Sequence, residues 1–157
     1  MRHLKAGPVH LVRMDKGEKI VEGLAGLCGR LKIRAGLFQA IGTCRGPELG
    51  YFETARKKYL WRKLRGEFEI LSLQGNVSSA GGRPFIHGHV VLGGRDFVAR
   101  GGHLKEAEVA ATCEVVLTPL PVALMRSLDR ASGLNLWQWT RSSGRNGKKG
   151  SRGGHRA

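Results

Sequence analysis

Residues 67–77 read Glu67-Phe68-Glu69-Ile70-Leu71-Ser72-Leu73-Gln74-Gly75-Asn76-Val77, the longest in a series of strand-like runs cut by glycine. Similar runs lie upstream at 9–14, 33–41, 49–52 and 59–64. Downstream, runs at 84–92 and 97–104 flank Gly93-Gly94-Arg95-Asp96, a hairpin signal. A last run at 109–118 ends before Pro119 and Pro121. One segment alone has clear helical spacing: Ile20, Leu24, Leu27, Cys28 and Leu31 form a single apolar stripe. Asp15 and Glu18 precede it at the spacing with which each side chain satisfies a free amide of the opening turn. One principal helix with about seven strands at short intervals predicts an α+β fold, a mainly antiparallel sheet with the helix packed on it. Further helices are missing, which disfavours a doubly wound nucleotide-binding fold.

The length of 157 residues is enough for one domain with a real core. The expected division is an N-terminal segment at 1–8, the folded domain at 9–120, an extension at 121–139 and a basic tail at 140–157. Within the extension, 122–128 reads as a short amphipathic helix. Trp137-Gln138-Trp139 places two rings on one side if extended, for docking on the domain or a neighbouring subunit. The tail has no apolar anchor and is expected to be disordered in isolation. No apolar run approaches the ~20 residues needed to cross a bilayer. The N-terminus has no secretory h-region, so the expected compartment is the cytoplasm, or the nucleoid within it. Three widely spaced cysteines, Cys28, Cys44 and Cys113, suggest neither a disulfide scaffold nor a zinc ribbon. Cys28 and Cys113 sit among apolar neighbours and read as reduced core thiols.

Charge is the strongest compositional signal. Twenty-seven Lys and Arg against twelve Asp and Glu give a net charge of +15. The tail supplies Arg141, Arg145, Lys148, Lys149, Arg152 and Arg156 and no acidic residue; without it the chain still carries 21 basic against 12 acidic residues, or +9. Such an excess favours polyanions through long-range attraction and counterion release. The six tail residues are therefore the candidate DNA contacts, directed at phosphates rather than bases.

His87 and His89 are two apart, so on a strand both point to one face. A three-residue turn at 94–96 would set His103 opposite His87 on that face; a two- or four-residue turn would send it to the other. Gly88, Gly101 and Gly102 are expected to leave room for imidazoles or a ligand. Three neutral imidazoles suit zinc or another divalent transition metal and leave a position open for water, substrate or a carboxylate. The competing reading is of ordinary strand histidines, hydrogen-bonded and without metal. His3, His10 and His155 lack such company and read as solvated. Glu69 and Glu114 lie in otherwise apolar strands, where a carboxylate needs a partner. They read as structural, each pairing with Arg65, Arg83 or Arg100. A metal's second shell or a general base is the alternative.

The pieces Leu49-Gly50-Tyr51-Phe52, 66–76, His87-Gly88-His89, Gly101-Gly102-His103-Leu104 and Glu114-Val115-Val116-Leu117-Thr118 occur in that order. Together they resemble the PPC (plants and prokaryotes conserved) domain over about residues 9–120. The resemblance implies an α+β domain that assembles as a homotrimer and binds DNA, and it matches the histidine trio to a metal-binding position. It also implies a partner-contact segment at Gly66, Phe68, Glu69, Ile70 and Leu71, with Glu67 standing where plant members have arginine. The AT-hook of plant members is absent: Arg83-Pro84 has no second Gly-Arg arm. The sequence contains no G-x-S-x-G, H-E-x-x-H or P-loop. The leading expectation is a low-specificity, homotrimeric DNA-binding protein with a metal on His87, His89 and His103. The alternative is a metal-dependent enzyme or small-molecule-binding protein using the same trio.

Overall fold

A computed structural model describes residues 1–138. Nine strands and one helix follow in the order β1 (Arg2–Ala6), β2 (Val9–Asp15), α1 (Ile20–Arg30), β3 (Gly36–Glu53), β4 (Lys58–Lys63), β5 (Glu67–Ala80), β6 (Arg83–Gly93), β7 (Ala99–Pro119), β8 (Met125–Asp129) and β9 (Leu134–Gln138). The α+β class with one principal helix is as expected, but among the described residues the strands number nine. Arg2–Ala6 adds a hairpin strand on β2, and the segment expected as a helix at 122–128 instead opens the β8–β9 hairpin. In the latter, Met125 pairs with Gln138 and Asp129 with Leu134, which gives this short stretch cross-strand partners that outweigh its weak helical pattern.

Two pairs of expected strands are continuous. Runs 33–41 and 49–52 belong to the single strand β3, which shifts register past Ala40 and again past Gly42 and Arg45. The run 97–104, from Ala99 onward, and the run 109–118 belong to β7, while residues 97 and 98 lie in the loop before it. Bulges let one long strand change direction without ending, so breaks in the apolar pattern do not mark turns here. Among the described residues all strand pairings are antiparallel except a single parallel bridge, Ser79 to Met125, that ties β8 to β5. β3 and β6 each pair with both β5 and β7, so these four strands close on one another.

The helix packs on β6 and β7. Its stripe of Ile20, Leu24, Leu27 and Cys28 is buried, as the spacing required, and meets Met14, Leu92 and Val109 in one apolar core. Its start differs from expectation. The Glu18 half of the expected pair forms, its carboxylate accepting from the Asp15 amide at 2.7 Å. But the cap is Lys19, with no side-chain bond, and the Asp15 carboxylate turns to Arg13 and the N-terminal amine. The free amides of Val21 and Glu22 donate instead to the Glu106 carboxylate on β7, at 2.9 and 3.1 Å. A carboxylate at a helix N-terminus also meets the positive end of the helix dipole favourably.

Candidate metal centre

The alternation of β6 places His87 and His89 on one face, and the β6–β7 hairpin brings His103 to them. Gly93 pairs with Ala99, so the connection is the five residues 94–98 rather than three, and His103 lies opposite His89 rather than His87. Both loop lengths are odd, which keeps His103 on the same face. The longer loop is held by Arg100, whose guanidinium pairs with Asp96 at 2.6 Å, and by Phe97 in the left-handed region at φ 58°. One ligating atom from each of His87, His89 and His103 lies within 4.8 Å of the others.

The surroundings suit neutral imidazoles. Burial, together with His103, Arg126 and His89, pushes His87 down to about 4. Burial and the same class of neighbours push His103 down. The Nδ1 of His103 is buried without a hydrogen-bond partner, a costly state for a polar atom and one that a metal ion would relieve. The donor set and this orphaned atom fit a divalent transition metal.

Two flanks of the trio escaped the sequence reading. On one, Tyr59 and Trp61 stack at 4.6 Å and both meet the His103 ring, at 5.2 and 5.8 Å. They reach it because Gly50 pairs with both His103 and Trp61, and a Cβ there would fall 2.6 Å from the indole. On the other, Arg126 of β8 crosses to the sheet. Its Nε donates to Ser78 Oγ at 2.8 Å, Nη1 to the Asn135 carbonyl at 2.7 Å and Nη2 to Asn76 Oδ1 at 3.0 Å. Nη2 also lies 3.2 Å from His87 Nδ1. Phe85 and Trp137 flank the guanidinium at 5.1 and 5.6 Å. The interleaving of aromatic and basic residues at 56–65 was a legible signal for Tyr59 and Trp61; nothing in local spacing pointed to Arg126.

The remaining expected residues fare differently. Gly101 and Gly102 do not make room for a ligand: a Cβ on them would meet the Val90 carbonyl at 2.7 Å and the Gly50 carbonyl at 2.9 Å, so they permit close strand approach. A Cβ on Gly88 would meet Leu73 and the Phe38 ring at 3.2 Å, again core rather than ligand space. Glu69 and Glu114 are exposed on strand faces and form no ion pair among the described residues, so water solvates the carboxylates that their apolar neighbours seemed to bury. Arg100, one of their expected partners, is taken by Asp96. His10 is buried, not solvated, stacked on His3 at 5.1 Å. Cys28, Cys44 and Cys113 are all free and buried. In the segment 66–71, Ile70 is core, Phe68 half-buried, and Glu69 and Leu71 exposed. Trp139, His155 and the tail residues Arg141, Arg145, Lys148, Lys149, Arg152 and Arg156 lie outside the described residues.

The family model of the Plants and Prokaryotes Conserved (PCC) domain matches residues 1–121. A plant- and prokaryote-conserved protein of Pyrococcus horikoshii superposes with a TM-score of 0.78 at 33% identity, over 86% of this chain and 94% of its own. A metal-containing protein of Archaeoglobus fulgidus gives 0.80 at 39% identity, over 86% and 96%. A candidate DNA-binding protein of Bacteroides thetaiotaomicron gives 0.81 at 29% identity, over 87% and 96%. A search of the curated proteins returned no match.

Proposed function

This chain belongs to the Plants and Prokaryotes Conserved (PCC) domain family, and from that membership we propose that it is a low-specificity DNA-binding protein that acts as a homotrimer and holds a metal on His87, His89 and His103. The observation that carries DNA binding is the charge, +9 before the tail is counted and +15 with it. Part of that excess is concentrated on the folded domain. Arg56, Lys57, Lys58, Arg62, Lys63 and Arg65 are all exposed on or beside β4, and among the described residues only Arg56 of this group forms an ion pair. The candidate DNA-binding relative of Bacteroides thetaiotaomicron agrees with this reading. Arg141, Arg145, Lys148, Lys149, Arg152 and Arg156 would add sequence-tolerant phosphate contacts.

Apolar surface near the 66–71 segment supports self-association. Phe97 is 95% exposed. It lines a groove of about 340 Å³ with Phe68, Glu69 and Gly93, and Leu71 and Val91 are exposed as well. The trio's geometry and the metal-containing relative support the metal, with zinc as the ion that three imidazoles suit. A metal with an open position can also polarise a bound group or activate water. A second reading, metal-dependent small-molecule binding or catalysis, uses the same trio.

Fluorescence anisotropy with duplex DNA across a salt series tests the first reading, comparing the full chain with a truncation after Thr140. The expected result is a slope of about −0.9 per phosphate neutralised, shallower but not zero after truncation. No binding by the full chain near physiological salt would overturn it, and analytical ultracentrifugation of the same samples would show whether the species is a trimer.

A further inference from the structure

Beyond a metal on the trio, and resting on that reading, we propose that the site takes a small oxyanion, a carboxylate- or phosphate-bearing molecule, held jointly by the metal and Arg126. Two observations lead there. The first is a conflict at His87. Arginine has only donors, so the 3.2 Å contact to Arg126 requires a lone pair on His87 Nδ1 and leaves the proton on Nε2. A metal on His87 needs a lone pair too. Taken at Nδ1, it displaces Arg126. Taken at Nε2, it moves the proton to Nδ1, where it faces the guanidinium donor to donor. Metal binding and this Arg126 contact therefore exclude each other.

The second observation is the balance of charge. Arg126 lies 3.2 Å from His87, whose ligating atom is within 4.8 Å of those of His89 and His103, and among the described residues none of the four forms an ion pair. No carboxylate enters this environment among the described residues. A divalent cation added beside the guanidinium would leave positive charges adjacent and uncompensated in a partly desolvated site, an arrangement that is unfavourable unless an anion joins it. An oxyanion resolves both problems. It fills the open metal position and accepts the donor that His87 gives up. Space is at hand: Asn76, which accepts from Arg126, also lines an open groove of about 500 Å³ with Gln39, Gln74 and Thr118. Those amides and the hydroxyl would bond the remainder of a polar ligand.

The test measures Co²⁺ affinity of the full chain by competition with a chromophoric chelator, alone and with inorganic phosphate or acetate. Wild type should bind Co²⁺ more tightly with one of these anions, by between about 5- and 150-fold, the usual range for coupled sites. The responding arm distinguishes a phosphate from a carboxylate ligand. Arg126→Met should bind Co²⁺ more tightly than wild type without anion and lose the anion response. Asn76→Asp, which supplies a carboxylate to Arg126 within the chain, should do the same and covers the case in which Arg126→Met misfolds. Broadening of the phosphate ³¹P resonance by the cobalt-loaded chain, absent in His103→Ala, would place that anion at the metal. Co²⁺ bound through the trio with no response to either anion would overturn the proposal. No Co²⁺ binding by any of these chains would instead overturn the metal reading on which it rests.

Discussion

Gly75 and Gly88 face each other across the β5–β6 ladder that delivers Asn76, Ser78, His87 and His89 to the site. Alanine at these two positions should have very different consequences. A Cβ on Gly75 would lie 2.1 Å from the His87 carbonyl oxygen and 2.5 Å from Cζ of Phe38. The carbonyl is backbone, and the Phe38 ring is buried at 5% exposure, so neither can swing aside. To reach even a tight contact, the strands must part by about 1 Å, enough to break ladder hydrogen bonds. Overpacking costs about 1–3 kcal/mol and a lost bond adds about 1 kcal/mol. The stiffer unfolded chain offsets about 0.4–1 kcal/mol. The net loss for Gly75→Ala is about 2 kcal/mol, within a span of about 1–4, or about 4–8 °C in Tm for a chain of this size. On Gly88 the nearest atoms, at 3.2 Å, are side-chain carbons of Leu73 and Phe38 that need give only slightly. Its cost should stay below about 1 kcal/mol. Urea unfolding of both variants, read from the midpoint at constant slope, measures the difference. If Gly75→Ala falls within 1 kcal/mol of Gly88→Ala, on the order of experimental error for such comparisons, the steric reasoning is wrong.

Burial raises the thiols of Cys28 and Cys113 to about 11 and Cys44 to about 12 from an ordinary 9.0. At pH 8 the native chain should therefore resist an aromatic disulfide reagent, while the urea-unfolded chain reacts at all three thiols, reported by absorbance. The sign for stability follows: the folded state favours the protonated thiols, so the stabilisation is complete below pH 9 and is lost as pH rises to 11–12. Replacing Glu106 with alanine strips the acceptor from the Val21 and Glu22 amides. The expected cost is about 1–2 kcal/mol, a cap-sized loss read by chemical denaturation, and a negligible change would show that water substitutes fully. Gly50→Val should drive the Trp61 and Tyr59 rings from His103 and shift tryptophan emission, which an unchanged spectrum would contradict.

Much of the site was legible before any tertiary contact was known. Strand alternation put His87 and His89 on one face, and an odd-length turn sufficed to bring His103 to the same face. The connection is five residues rather than three, yet its odd length alone keeps His103 on that face. The helix was legible from its stripe, but its cap was not. Asp15 has the right spacing, whereas Glu106 acts from 85 positions beyond Val21 with no local signal. Glu69 and Glu114 misled because apolar neighbours in sequence do not say which face of a strand is covered.

The sequence by itself therefore determined the α+β class, the helix stripe, the shared face of the histidines and the positive charge of the whole chain. These follow from backbone periods of 2 and about 3.6 residues and from composition, which need no knowledge of neighbours. Tertiary structure decided what periodicity does not encode. It set the register that pairs His103 with His89, and the passage of β3 and β7 through bulges without ending. It laid Trp61 over Gly50, and it brought Arg126 from a late hairpin to His87. Each joins residues distant in sequence, and their pairing depends on which strands lie side by side once the core is packed.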